Sequence, residues 1–358
     1  MRRSLNRLVQ LVVMVVISCS WLTSPQLAAT AETATTSMPA ATAPANEIRV
    51  AATFAATDSL AAMPSDARAD AQACLEGLCW TPGSFEVEIQ KPWKEGAGDF
   101  CVCFPTPRPV GHGSNDTVAM EWYVARDEAG EPLLAPACVV VHESGRGMDV
   151  GRLIARSLNA HGIHTFMIHL PWYGRRAPET GKPTMDMVLP ALAQGIADVR
   201  RARDAVAALP VVESEKIAVQ GTSLGGFVTA TAAGLDRGFD STFILLAGGD
   251  VAGVIKNGAK DAARFREDLE KAGLDDQQVA DSLHSIEPLR VAHRLDPNRT
   301  WLYSGKFDEV VPPEHCERLA KAAGLADDHH LQLHATHYSG MIYLPVVLAQ
   351  IHAHITAE

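Results

Sequence analysis

The sequence predicts an α/β protein with a mostly parallel central sheet and helices on both faces. Three observations carry that expectation. Apolar, β-branched runs such as "ACVVVHES" (137–144) read as strands buried on both faces. Helix-like segments alternate with these runs, and such a rhythm points to parallel strands joined by crossover helices. The alternation continues to the end of the chain without a 20-to-50-residue self-similarity, which argues against a solenoid or propeller.

The elements follow in order. "FEVEIQ" (85–90), "DFCVCF" (99–104) and "AMEWYVA" (119–125) have the short alternating look of strands. After "ACVVVHES", the segment "GRLIARSLNAHG" reads as a helix closed by Gly162, a residue suited to a C-terminal cap. "HTFMIHL" is the next strand, stopped by Pro171. "MVLPALAQGIADVRRARDAVAAL" (187–209) is the longest helix. Leu189, Leu192, Ile196, Val199, Val206 and Leu209 fall largely on one face, and Arg200, Arg201, Arg203 and Asp204 largely on the other. "KIAVQG", "TFILLAGG", "TWLYSG" and "LQLHA" are further strands. "GGFVTATAAGL" and "MIYLPVVLAQIHAHI" are helices. In such a sheet, ligands bind where the C-terminal ends of the strands meet their loops, so chemistry is expected just after strands.

With 358 residues, 47% hydrophobic and 20% charged, the chain suits a globular protein with a sizeable core. Its formal net charge of -11 excludes an electrostatic nucleic-acid binder, which needs clustered positive charge. The N-terminus reads as an export signal. Arg2, Arg3 and Arg7 precede the apolar "LVQLVVMVVIS", and "ATA" at 29–31 offers a small-x-small cleavage site. Residues 1–31 are accordingly expected to be a signal peptide and the mature protein to be secreted or periplasmic. The competing exit is "VISC": it resembles a bacterial lipobox, which would lipidate Cys19 and hold the protein on a membrane surface, and an uncleaved anchor is the third reading. Residues 32–70, rich in Ala, Thr, Ser and Pro, read as a low-complexity linker, with the folded domain spanning 71–358. Export permits disulfides within or between Cys74/Cys79 and Cys101/Cys103, with connectivity left open. Cys138 reads as core. No metal-ligand spacing and no cofactor motif is present, so neither group is expected.

The chemistry centres on Gly221-Thr222-Ser223-Leu224-Gly225, a G-x-S-x-G between an expected strand and an expected helix. That context makes it a nucleophile elbow, a sharp turn that exposes one hydroxyl and aims helix N-terminal amides at developing negative charge. A serine needs a base and a third group to orient the base. Asp308, in "YSGKFDEVVPP" just beyond a strand, is the expected acid, with Asp250 in "LLAGGD" as its rival. His337, in "LQLHATHYSGM" between the last strand and last helix, is the expected base, ahead of His334. The chain order is nucleophile, acid, histidine.

From about Phe85 onward the chain resembles the α/β-hydrolase superfamily, through "GTSLGG", "GKFDEVVP" and "THYSG". The resemblance implies an oxyanion hole made by the backbone N–H of Leu224 and a second N–H from "HESGRG", which falls to Ser144 by position. Families often show H-G-x-G there, so Glu143 departs from the commoner glycine. The His142-Glu143 pair is similar to the Gln-Glu stretch of dienelactone hydrolases. "LPWYGRR" is similar to a P-x-Y-G-x-R stretch of a poorly characterised branch. Glu143, Trp172, Tyr173 and Arg175 are therefore candidate substrate contacts, with Arg175, or else Arg176, binding an anionic group, unless both arginines hold the loop through internal ion pairs, the reading that stands slightly ahead. The resemblance also implies that the charged helical insertion at 251–297 occupies the position of a cap.

The expected function is a serine hydrolase that cleaves a carboxylic ester of a small molecule or a saccharide through an acyl-enzyme. Two alternatives stand beside it. One is a peptidase of the prolyl-oligopeptidase type, although such enzymes usually carry a propeller and the segment before Phe85 is short. The other is a non-catalytic binding protein on the same fold, against which the complete triad argues.

Overall fold

A computed structural model describes residues 48–60, 64–180 and 183–357. The expected signal peptide, Cys19 and the first part of the linker lie outside these residues. Ten strands form one sheet in the order β1-β2-β3-β4-β6-β5-β7-β8-β9-β10. β1 (Thr53–Thr57), β2 (Ser84–Gln90), β3 (Phe100–Pro105) and β4 (Thr117–Tyr123) make an antiparallel edge, and β4 pairs antiparallel with β6 (His164–Ile168). From β6 onward the sheet is parallel, through β5 (Ala135–Val141), β7 (Val212–Thr222), β8 (Thr242–Leu245), β9 (Thr300–Gly305) and β10 (His330–Leu333).

The central strands are apolar throughout because both faces are covered. Along β5, Val139 and Val141 join one core while Cys138 and Val140 join the other. The first core lies under α1 (Ala69–Leu78), α3 (Met185–Ala207), α4 (Leu224–Gly234) and α9 (Pro313–Ala323), through residues such as Leu75, Val199, Val228 and Leu319. The second lies under α2 (Asp149–Asn159) and α10 (Leu344–Thr356), with Ile154, Leu158, Val347 and Ile351 as its contacts. Among the described residues no helix is long and apolar enough to cross a membrane.

Two expectations need correction. The linker expected to reach residue 70 ends earlier, since Thr53–Thr57 pairs with β2 from Thr53↔Glu88 to Thr57↔Ser84. Small residues hid this edge strand, of which only Ala56 is buried. Asp58 then pins it. Its carboxylate takes Arg201 Nε at 2.9 Å and Nη2 at 2.6 Å, and Trp80 Nε1 at 2.9 Å. The cysteines are the second correction: Cys74, Cys79, Cys101, Cys103, Cys138 and Cys316 are all free and buried. The Cys74 thiol donates instead to the Ser285 carbonyl at 2.8 Å, and the Cys101 and Cys103 sulfurs stand 3.6 Å apart on β3.

The insertion between β8 and β9 is helical: α5 (Val251–Asn257), α6 (Asp261–Lys271), α7 (Asp276–His284) and α8 (Pro288–Val291). Leu269, Val279 and Leu283 turn inward to the first core, which explains its amphipathic pattern.

Candidate active site

Ser223 lies between β7 and α4 with φ 53° and ψ -117°, a backbone conformation costly for any residue with a side chain. The surroundings enforce it. The Ser223 N–H donates to the Leu245 carbonyl at 2.8 Å, and the Ser223 carbonyl accepts from Gly226 N at 2.8 Å. The flanking glycines are steric requirements. A Cβ on Gly225 would press on the Val141 carbonyl oxygen and lie 2.6 Å from that of His142. A Cβ on Gly221 would press on the carbonyl oxygen of Gly225.

His337 and Asp308 converge on this serine from the loops after β10 and β9. Ser223 Oγ lies 3.0 Å from His337 Nε2, and His337 Nδ1 lies 2.7 Å from Asp308 Oδ2. The other Asp308 oxygen accepts from Val310 N at 2.8 Å and Val311 N at 3.0 Å, which locks the carboxylate. With Nδ1–H donated to Asp308, Nε2 is free to accept the serine proton. The rival Asp250 is engaged elsewhere. It caps α5 through Gly253 N at 3.1 Å and pairs with Arg318. His334 stands just past β10 with its Nε2 3.5 Å from Lys306 Nζ.

Leu224 occupies the first position of α4, where a helix leaves its N–H groups without intrahelical acceptors. Ser144 follows β5, and both residues line the same cavity as Ser223. Tyr173 holds Ser144 in place, its hydroxyl donating to the Ser144 carbonyl at 3.0 Å. His142 ties the two loops together: its Nε2 accepts Leu170 N at 3.2 Å, which leaves Nδ1–H to donate to the Glu143 carbonyl at 2.6 Å. The ring must be neutral to do both, and burial pushes its pKa down to about 3 against the opposing pull of that carbonyl.

Beneath these loops, Glu121 of β4 is fully buried among donors. It accepts from Trp93 Nε1 at 2.9 Å, Tyr123 Oη at 3.0 Å, His169 Nε2 at 3.0 Å and Arg152 Nη2 at 2.6 Å. Burial alone raises its pKa, but the bonds from His169, Arg152 and Trp93 bring it down to about 2. Arg152 passes the constraint on by donating to the Gly147 carbonyl, and His169 Nδ1 accepts Arg175 N at 3.1 Å.

The cavity has a volume of about 440 Å³ and is largely apolar. Trp172 and Tyr173 line it, together with Leu192 of α3, Phe227 of α4, and Val254 and Phe265 of the insertion. The insertion therefore forms a cap over the serine. It is fastened to the loops that carry His337 and Asp308 by Tyr338 Oη–Asp261 Oδ2 at 2.9 Å and Lys260 Nζ–Glu309 Oε2 at 3.1 Å.

Two expected substrate contacts lie elsewhere. Glu143 does not line the cavity; its carboxylate accepts Val150 N at 3.2 Å and Gly151 N at 3.0 Å, complementing the positive N-terminal end of α2. Arg175 is also outside the cavity wall, with Nη1 at 3.5 Å from Cys101 Sγ. Arg176 is fully buried and pairs with Asp198 at 2.8 Å, so it is structural. Sequence reasoning missed Arg146 and Arg264, which do line the cavity. Arg146 stands two residues beyond Ser144 in "HESGRG", a placement visible in the sequence.

A model of the prolyl oligopeptidase family matches residues 192–340. No protein of curated function matches the chain. Among solved structures, an acetyl xylan esterase from a Paenibacillus species aligns over 82% of this chain and 97% of its own, with 16% identity and a TM-score of 0.57. Acetyl xylan esterase 1 from a Thermoanaerobacterium species aligns over 80% and 93%, with 13% identity and a TM-score of 0.55. A puromycin-hydrolyzing peptidase from Mycobacterium tuberculosis aligns over 76% of this chain but 46% of its own, with 20% identity and a TM-score of 0.51. The chain has the α/β-hydrolase fold of these esterases: a mostly parallel sheet covered by helices on both faces.

Two predictions follow from the geometry. Asp308→Asn is expected to lower kcat by about four orders of magnitude, because the histidine tautomer is lost. Asp250→Asn is expected to lower kcat less than tenfold; steady-state kinetics on one ester ranks the two, and the reverse order moves the acid to Asp250. The second concerns pH. The folded pKa of His142 lies below its unfolded value, so the folded state binds fewer protons between them. Its contribution is complete above about pH 6.5 and falls as pH drops toward 3, by at most ~1.4 kcal/mol per pH unit. Thermal midpoints measured from pH 7 to pH 4 should fall more steeply for the wild type than for His142→Asn, and equal slopes refute the assignment.

Proposed function

We propose that this chain is a serine esterase acting on carboxylic esters with an apolar body. The reading rests on one observation: the Ser223–His337–Asp308 hydrogen-bond chain opens onto an apolar cavity roofed by the cap. Ser223 Oγ attacks the ester carbonyl while its proton passes to His337 Nε2. Asp308 steadies the imidazolium, and the N–H groups of Leu224 and Ser144 receive the oxyanion. Collapse breaks the bond to the alcohol, which leaves with the proton from His337. Water then repeats the sequence on the acyl-enzyme, releasing the acid and restoring Ser223.

The substrate is a small-molecule ester; a sugar ester, the form that the fold likeness to acetyl xylan esterases supports, ranks behind an apolar one because the cavity is largely apolar. Amide hydrolysis is the second reading, supported by the prolyl oligopeptidase match and the fold likeness to a puromycin-hydrolyzing peptidase.

A fluorophosphonate probe should label wild type on Ser223 and leave Ser223→Ala unlabelled. Across 4-nitrophenyl esters from acetyl to octanoyl, kcat/KM should rise by up to about threefold per methylene as the chain fills the cavity. Acetylated xylose derivatives belong in the same panel. Faster turnover of aminoacyl 4-nitroanilides than of any ester would favour the peptidase reading. Labelling that survives in Ser223→Ala would remove the mechanism.

The same proposal places the enzyme outside the cytoplasm, on the strength of the basic, apolar and small-residue run over residues 1–31. Intact mass of exported protein should begin at Glu32. A diacylglyceryl adduct on Cys19 would select the lipoprotein, and a retained Met1 would overturn cleavage.

A further inference from the structure

Arg146, Asp261, Arg264 and Asp268 are the charged residues of the cavity wall. Three of them are paired. Arg264 Nη1 lies 3.0 Å from Asp261 Oδ1, whose second oxygen accepts Tyr338 Oη at 2.9 Å. Asp268 Oδ1 lies 3.5 Å from Lys271 Nζ. The Arg146 guanidinium has no hydrogen-bond or ion-pair partner among the described residues.

The loop that carries Arg146 is held on both sides of it. Tyr173 bonds the Ser144 carbonyl at 3.0 Å, Met148 N donates to the Gly145 carbonyl at 2.9 Å, and Arg152 bonds the Gly147 carbonyl. Arg152 is in turn gripped by buried Glu121. The result is an anchored backbone that presents one unneutralised, exposed cation at the cavity rim, two residues from the expected oxyanion donor. The rest of the wall is mainly apolar.

We propose that Arg146 is a specificity-determining residue that receives a carboxylate carried by the ester substrate, whose apolar remainder fills the cavity. The proposal rests on the esterase reading above and narrows its substrate to an anionic amphiphile. A guanidinium meets a carboxylate through parallel N–H···O bonds, and no internal acid has to be displaced first. Because the rim is open to water, the gain is that of a partly screened pair, about fivefold to tenfold. The anion site expected at Arg175 is thereby relocated to the loop that follows β5.

The test is a matched substrate pair: the mono-4-nitrophenyl ester of hexanedioic acid, and the same ester with its free carboxyl converted to the primary amide. Wild type should show kcat/KM about fivefold to tenfold higher for the acid. The ratio should fall to about one in Arg146→Gln and below one in Arg146→Glu. A wild-type ratio of one, or a ratio unchanged in Arg146→Gln, overturns the proposal. So does a parallel loss on both substrates with the ratio kept, which would assign Arg146 to the reaction or the fold. Calorimetric binding of hexanedioic acid monoamide and of hexanediamide gives a readout independent of turnover. Tighter binding of the acid that disappears in Arg146→Gln would keep the anion site even if neither ester were cleaved, leaving only the esterase reading to fall. Equal binding would remove the site.

Discussion

The approach of the Gly225 backbone to the end of β5 is the contact on which the rest of the site depends. No side chain fits there, because the carbonyl oxygens of Val141 and His142 already occupy the space of a Cβ. That closeness lets α4 start directly against the central strands, with Leu224 as its first residue and Ser223 forced into a positive φ. Backbone strain of this kind costs on the order of 1–3 kcal/mol and persists only where surrounding bonds overdetermine it. Here the Ser223 N–H is held by β8 and its carbonyl by the helix it opens. One steric constraint thus fixes the turn that carries the Ser223 hydroxyl and starts α4 at Leu224 beside the end of β5.

The second half of the site is held electrostatically. Glu121 would be expensive to bury alone, but it meets donors from four separate side chains. A buried carboxylate satisfied to that degree is tolerated, whereas removing one partner typically costs several kcal/mol. Its partners lead outward to the two loops that border the serine: Arg152 to Gly147, and His169 to Arg175 N. His142 and Tyr173 join those loops again nearer the cavity. The loops after β5 and β6 that border Ser223 are therefore positioned on one side by charge and on the other by neutral hydrogen bonds.

Much of this was legible in the sequence, for reasons that differ by element. The central strands announced themselves because burial on both faces demands unbroken apolar runs. Ser223, Asp308 and His337 were legible because each follows a strand, where this sheet architecture gathers its loops. β1 was not: "TFAAT" has one buried alanine, and its place depends on Asp58 meeting Arg201 across 143 positions of chain. For Arg176 the sequence left two readings open, an anion contact or an internal ion pair, and its partners, Asp198 of α3 and the Asn115 and His169 carbonyls, are distant in the linear sequence or unmarked by it; they make it a core residue. Glu143 carried a functional air from its neighbours, yet the N-terminus of α2 consumes its carboxylate. Arg146 was overlooked because nothing local distinguishes a free guanidinium from a paired one.

The cap and the triad are fastened by interactions of different strength, and that difference bears on access. Asp308 is almost wholly buried, and its carboxylate is held by two backbone N–H groups and His337. Bonds of that type, charge-assisted and shielded from water, are among the stronger ones in a protein. The cap's ties to the same loops are exposed: Lys260 and Glu309 have side-chain exposures of 43% and 66%, and Tyr338 is half exposed. Exposed pairs contribute about 0–1 kcal/mol each. Separating Asp261 from Tyr338 and Lys260 from Glu309 therefore costs little, while the bonds that align Ser223, His337 and Asp308 stay intact. Val254, Phe265 and Leu283 of the insertion line the cavity beside Ser223, so the apolar burial they share with the first core, rather than the exposed polar ties, is what holds the insertion there.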